Sequence, residues 1–255
     1  MDIIDEIKKK LCEIEREENV EVLFAIESGS RAWGFASPDS DYDVRFIYKH
    51  KMDFYLKLDK RRDVIECTPD KIYDINGWDL DKTFKLLYSS NPTLFEWIIS
   101  PIVYKTTEFH KSFQKLAPDY FLHKSSLYHY LSMAKNNYRV YLKGDTVRLK
   151  KYFYVLRPIL ACRWILKNST QPPMLFQDLV GACLEPELHE TIRALLKWKM
   201  SAPESEHGPR IDTLNAWIEL NIAAIETNIA TLPDDNTKDM TVLNEIFLSE
   251  IMKSQ

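Results

Sequence analysis

Two aspartates two residues apart, Asp41 and Asp43, follow a Gly29-Ser30 pair after ten intervening residues. An apolar run of strand type stands on each side: Val20, Val22, Leu23, Phe24, Ala25 and Ile26 before, and Val44, Phe46, Ile47 and Tyr48 after. Successive side chains of a strand point to opposite faces, so Asp41 and Asp43 share one. Two carboxylates aimed at one point repel each other unless a cation lies between them, and hard oxygen donors at this spacing suit Mg²⁺. The Gly29-Ser30 pair offers backbone N–H groups and a hydroxyl to a phosphate, because glycine lets the chain approach closely. A phosphate cradle beside a divalent-metal clamp is suited to metal-assisted phosphoryl chemistry.

Each of these residues also has a plainer reading. Asp41 and Asp43 could be the solvated acids of an edge strand, against which the upstream Gly-Ser and the apolar remainder of the strand both speak. Ser30 could be a helix N-cap, a role compatible with phosphate contact. Arg31 is open between binding a phosphate and pairing with Asp39 or Asp41. Trp33 and Phe35 read as packing side chains before base-stacking ones. Arg45 has the parity of the two aspartates, which places it beside them, to tune their charge or touch a phosphate.

The elements that must position these groups follow from patterning. Ile3, Ile4, Ile7, Leu11 and Ile14 recur at helical spacing, which predicts an amphipathic helix over 2–18. A strand over 20–27 leads into the Gly29-Ser30 turn and a short helix, and Ser37-Pro38-Asp39-Ser40 supplies turn chemistry before a second strand from Asp41 to about Tyr48. Lys49 to Arg62 reads as a charged surface excursion. Asp63–Glu66 and Lys71–Ile75 are short strand candidates, the second running into a Gly77-Trp78-Asp79 turn. Asp79 N-caps one helix, and Asn91 with Pro92 starts the next. From about residue 105 the pattern is helical throughout. One helix carries Leu127, Tyr130, Leu131, Ala134, Tyr138 and Tyr141, and another spans Lys150 to Leu166 with a kink expected at Pro158. In that second helix Lys150, Tyr154 and Arg157 share a face at i, i+4 and i+7, with Lys151 beside it. Phe176 to Met200 splits near Glu185-Pro186, residues 201–209 read as a loop, and two further amphipathic helices follow.

The Gly29-Ser30 and Asp41-x-Asp43 pattern between two hydrophobic strands resembles the signature of the DNA polymerase beta nucleotidyltransferase superfamily. The full string from Gly29 to Arg45 looks like one branch of it, the predicted bacterial nucleotidyltransferases that include RNA-ligase-associated members. Gly77-Trp78-Asp79-Leu80, Asn91-Pro92, Glu96-Trp97 and Lys150 to Arg157 are similar too, so the resemblance runs from about residue 20 to about residue 175.

The resemblance implies an α+β fold, a mixed sheet with flanking helices followed by a helical C-terminal domain. Residues 1–104 would be the catalytic domain and 105–255 a helical domain closing the active-site cleft. It implies transfer of NMP from an NTP to an acceptor hydroxyl with release of pyrophosphate. Mg²⁺ or Mn²⁺ would be held by Asp41, Asp43 and a third carboxylate from a later strand, with Asp74 preferred to Glu66. Gly29 and Ser30 would hold the triphosphate, with Lys150, Lys151 and Arg157 neutralising it. The acceptor stays open between an RNA 3′ end, a protein and a small molecule. The alternative is a catalytically silent nucleotide-binding module of regulatory or toxin–antitoxin type, against which the intact set of acids argues.

Composition sets outer bounds. With 255 residues and 45% hydrophobic content the chain can bury a substantial core, and only six glycines favour a helix-heavy body. A net charge of −4 argues against a broad basic surface for nucleic acid. Cys12, Cys67, Cys162 and Cys183 form no CxxC pair and read as reduced thiols. A charged N-terminus and the absence of a long apolar run point to a cytoplasmic protein without a membrane span.

Overall fold

The computed structural model describes residues 2–68, 72–201, 207–235 and 238–253. In chain order the elements begin with α1 (Ile3–Glu17), β1 (Glu21–Glu27), α2 (Gly29–Ala32), β2 (Tyr42–Lys49), α3 (Met52–Tyr55), β3 (Val64–Cys67) and β4 (Tyr73–Asp79). There follow α4 (Leu80–Tyr88), α5 (Pro92–Ile98), β5 (Val103–Lys105), α6 (Glu108–Leu116), α7 (His123–Tyr141) and β6 (Thr146–Arg148). The chain continues with α8 (Phe153–Asn168), α9 (Phe176–Cys183), α10 (His189–Ser201), β7 (His207–Pro209), α11 (Asp212–Thr231) and α12 (Met240–Met252). The fold is α+β, and the chain forms two compact units.

The first unit comprises Met1–Gly29, Asp41–Tyr120 and Thr237–Gln255. Its five-stranded sheet has the order β3-β4-β2-β1-β5. Only β2 and β4 run parallel, so the sheet is mixed. On one face, Ile7, Leu11 and Ile14 of α1 cluster with Val22, Ala25, Val44, Phe46 and Tyr48. Toward the other face, Phe24 of β1 stacks on His110 of α6 at 4.2 Å. Burial on both faces explains why β1 reads as an unbroken apolar run and not as an alternating one. Lys49, 2% exposed, closes the end of β2 between Glu21 at 3.3 Å and Glu250 of α12 at 3.1 Å.

The second unit comprises Ser30–Ser40 and Phe121–Asn236. Helices α7, α8, α9 and α11 make its body. Phe35 from the short segment packs on Phe153 at 4.9 Å and Phe176 at 5.5 Å. The Tyr152 hydroxyl donates to Asn215 Oδ1 at 2.7 Å, tying the start of α8 to α11.

The structure corrects several expectations. The units do not follow a boundary at 104/105: residues 105–120 and 237–255 belong with the sheet, and 30–40 with the helices. Gly77 and Trp78 lie inside β4 and not in a turn. A Cβ on Gly77 would sit 2.2 Å from the Phe46 ring, so glycine there keeps the strand beside a large aromatic neighbour. The region after residue 105 is not wholly helical, since β6 and β7 pair antiparallel. Lys150 precedes α8 in a 3₁₀ turn, Leu149–Tyr152, so one regular helical face does not join it to Arg157. Lys71, the expected start of a strand, and residues 202–206 of the expected loop lie outside the described residues. Among the described residues no helix is long and apolar enough to cross a membrane.

Candidate active site

The parallel register of β2 and β4 places Asp43 opposite Asp74, and Arg45 opposite Asn76. Alternation puts Val44, Phe46 and Tyr48 toward α1, so Asp43 and Arg45 lie on the opposite face of the sheet. The Arg45 guanidinium sits between the two acids: Nη2 donates to Asp43 Oδ1 at 2.9 Å and to Asp74 Oδ2 at 2.7 Å. Its Nη1 donates to the carbonyls of Val44 and Asp74. The fork thus satisfies two carboxylates and two backbone acceptors. Asp41 is exposed and stands one residue ahead of the first residue of β2. Glu66 lies on the outer strand β3, opposite Asn76, and pairs with Arg62 at 2.9 Å. The register therefore brings Asp74, and not Glu66, beside Asp43.

Two backbone features fix Asp43. Gly29 adopts φ +59°, in the left-handed region, and a Cβ there would lie 2.0 Å from Asp43 Oδ2. Only glycine lets the carboxylate come that close to the backbone. Glu27, fully buried at the end of β1, accepts from the Asp43 N–H at 2.9 Å and from the Tyr104 hydroxyl at 2.6 Å. The Asp43 carbonyl accepts in turn from the Ser28 N–H at 2.8 Å. Sequence reasoning passed over Glu27, which reads in the sequence as one of two acids at the ends of β1.

Among the described residues no group of three Asp, Glu, His or Cys side chains stands ready to hold a metal ion. The Asp43–Asp74 pair nonetheless suits one: its donors are oxygens and a positive group already lies between them.

In the second unit the Ser30 hydroxyl is nearly buried and donates to Ser40 Oγ at 3.2 Å. Arg31 donates to the Ser40 carbonyl at 2.6 Å. The Trp33 ring packs face-on against the Arg157 guanidinium at 4.7 Å and edge-on to Tyr154 at 5.8 Å. Trp33 and Phe35 are packing residues in this structure. Arg157 is 4% exposed and donates to the Met174 carbonyl, so its charge lies inside the unit under the loop. Lys151 lies over the rings of Tyr141 and Tyr154, and Lys150 is half-buried. Sequence reasoning read Ser37 and Ser40 only as turn residues and passed over Lys199; the three meet within this unit.

A separate cavity of about 290 Å³ in the first unit is lined by His50, Phe54, Lys60, Arg61 and Arg62 among others. Burial, with Arg61 nearby, pushes His50 down to about 4. Burial likewise pushes Asp79 up to about 6, although it accepts from the Asp81 N–H and the Tyr55 hydroxyl.

Residues 3–249 match the family described as RlaP, the RNA repair pathway DNA polymerase beta family. The chain belongs to this family. A Bacillus subtilis (strain 168) protein named "Uncharacterized protein YcgL" is 45% identical over 254 residues, covering 98% of this chain and 95% of that one. A crystal structure titled as a nucleotidyltransferase-like protein from Exiguobacterium sibiricum aligns over 98% of this chain and 80% of its own. That alignment is 11% identical with a TM-score of 0.33. Membership in the RlaP family supports a nucleotidyltransferase activity in general.

Proposed function

We propose that this RlaP-family chain transfers NMP from an NTP to a terminal hydroxyl of RNA, releasing pyrophosphate. The observation that carries the reading is the in-register pair Asp43 and Asp74, held on one sheet face with the Gly29 backbone close against Asp43 Oδ2. The family's description as an RNA repair pathway supports RNA as acceptor over a protein or small molecule.

Asp43 and Asp74, with Asp41, would hold Mg²⁺ or Mn²⁺. A bound divalent ion polarises the α-phosphate and lowers the pKa of the attacking hydroxyl. The new bond joins the acceptor oxygen to the α-phosphorus, and the bond from that phosphorus to the β-phosphate's bridging oxygen breaks. The acceptor's proton passes to solvent or to Asp74, whose side chain is 43% exposed and within reach of water. For the pair to hold a metal, Arg45 would give up its contacts with the two acids, and its fork would then be free for a phosphate oxygen. Ser30 donates its hydroxyl to the β- or γ-phosphate, and Lys150 and Lys151 add positive charge. Arg157 supports Trp33 from below.

A second reading, a nucleotide-binding module without transfer, draws on one observation. Arg45 already neutralises the acids that a metal would need. One assay separates the two. The protein is incubated with each α-labelled NTP, Mg²⁺, and RNA bearing a free 3′ hydroxyl. Label on RNA, lost in Asp43→Ala, is expected. NTP binding without label on any RNA would favour the silent module.

A further inference from the structure

A line of hydrogen bonds inside the second unit ends at Ser30 and starts at a buried cation that sequence reasoning did not connect with it. Lys199, on the last turn of α10, is 3% exposed. Its ammonium donates to Ser37 Oγ at 3.0 Å, across 162 residues of sequence. Ser37 Oγ lies 2.9 Å from Ser40 Oγ, which also accepts from the Ser37 N–H at 3.0 Å. Ser40 Oγ in turn accepts from the Ser30 hydroxyl at 3.2 Å. Ser37 and Ser40 are 2% and 5% exposed, so the line is shielded from water over its length.

We propose that Lys199 is a positioning residue for Ser30: acting through Ser37 and Ser40, it sets the direction in which the Ser30 hydroxyl donates and thereby tunes triphosphate affinity. The inference rests on the reading of Ser30 as a phosphate contact.

Counting donors and acceptors gives the reason. An ammonium has donors only, so Ser37 Oγ must accept from Lys199 and keeps its own proton to give. A hydroxyl oxygen has two lone pairs. With Ser30 donating to Ser40 and the Ser37 N–H occupying the other lone pair, the Ser40 proton points back to Ser37. In this arrangement Ser30 has no proton left for a ligand. In the other arrangement Ser37 donates to Ser40, Ser40 donates to Ser30, and the Ser30 proton is released toward a phosphate oxygen. The structure shows the first, inward arrangement; a fixed positive charge at the far end repels protons along the line and so eases its reversal to the second, outward polarity when a phosphate oxygen is there to accept. Such lines strengthen cooperatively in low-dielectric surroundings, where the charge is weakly screened.

The test measures NTP affinity by direct titration with an α,β-non-hydrolysable analogue, beside KM, kcat and Tm, for Lys199→Met, Lys199→Arg, Ser37→Ala and the Lys199→Met/Ser37→Ala double variant. Expected is about a tenfold weaker analogue Kd and higher KM in Lys199→Met, with kcat within about twofold, since a ground-state phosphate contact acts mainly on binding. Ser37→Ala should match it, the double variant should be no worse than either single one, and Lys199→Arg should recover most of the affinity. Ser37→Ala keeps the test decisive if Lys199→Met does not fold. Folded variants that bind the analogue as wild type does would overturn the inference, as would full additivity in the double variant. Wild-type protein that binds no NTP analogue would remove the phosphate reading of Ser30, and this inference with it.

Discussion

The carboxylate pair and the serine loop handle charge in opposite ways. Asp43 and Asp74 are 22% and 43% exposed, and Arg45 offsets their repulsion from within the same sheet. Arg157 and Lys199 are almost fully buried beneath the 30–40 segment, against Trp33 and on Ser37. Acids that are to exchange one cation for another must stay near water, because removing a buried partner leaves an uncompensated charge. Cations that hold a loop in shape can be buried, where their field is least screened. The carboxylate edge should therefore respond to mutation mainly in activity, and the serine loop's packing mainly in stability.

Asp43→Ala is the severest test of that division. If Asp43 holds the metal as proposed, its loss should lower kcat a thousandfold or more, on the order of 4 kcal/mol of barrier. Thermal melting should show Tm within a few degrees of wild type. A collapse of Tm would mean that the pair is structural.

Phe35→Ala should do the reverse. The ring is 1% exposed between Phe153 and Phe176, and truncating a buried phenylalanine costs about 3–5 kcal/mol. Urea unfolding should show that loss. A stability change below about 1 kcal/mol would show the loop to be loosely seated.

Asp79 sharpens the comparison, because it is a buried acid in the same unit as the exposed ones. Its folded pKa, raised to about 6, means that its contribution to stability is complete below pH 4 and is lost as pH rises through 6. His50, lowered to about 4, contributes above about pH 6.5, and that contribution is lost as pH falls through 4. Both groups are neutral between these limits, so their 4.0 Å approach is not an ion pair there. Asp79→Asn, which keeps an N-cap acceptor, should remove about 2–3 kcal/mol of pH-dependent decline between pH 4 and 7. Parallel stability curves for mutant and wild type would refute this.

The smallest effect is expected at Arg45. Arg45→Met removes the cation competing for Asp43 and Asp74, so Mn²⁺ titration followed by EPR should show affinity tighter by up to about tenfold, or about 1.4 kcal/mol. Unchanged or weaker Mn²⁺ binding would mean that the guanidinium does not stand where a metal ion binds.

Much of the site could be read from the chain because its signals are local. Gly29-Ser30 and Asp41-x-Asp43 lie within fifteen residues. The caps at Asp79 and Asn91 act on N–H groups two or three residues away and form as their residue types imply. Patterning located α1, β1 and β2 because one apolar face or a doubly buried strand leaves a periodic trace. The split at Glu185-Pro186 was visible for the same reason: proline starts a 3₁₀ turn between α9 and α10.

Tertiary structure decided the rest. The choice between Asp74 and Glu66 depends on which strand lies parallel to β2, and a shift of one residue would turn Asp74 to the other face. Glu27 looks like any strand-end acid until Tyr104, 77 residues away, closes over it. Lys199 is one of two lysines in α10 and meets Ser37 only when that helix packs on the 30–40 segment. Residue type and spacing along a strand or helix state the chemistry that is available. Which groups meet is settled by strand register and helix packing, whose determinants lie far apart in the chain.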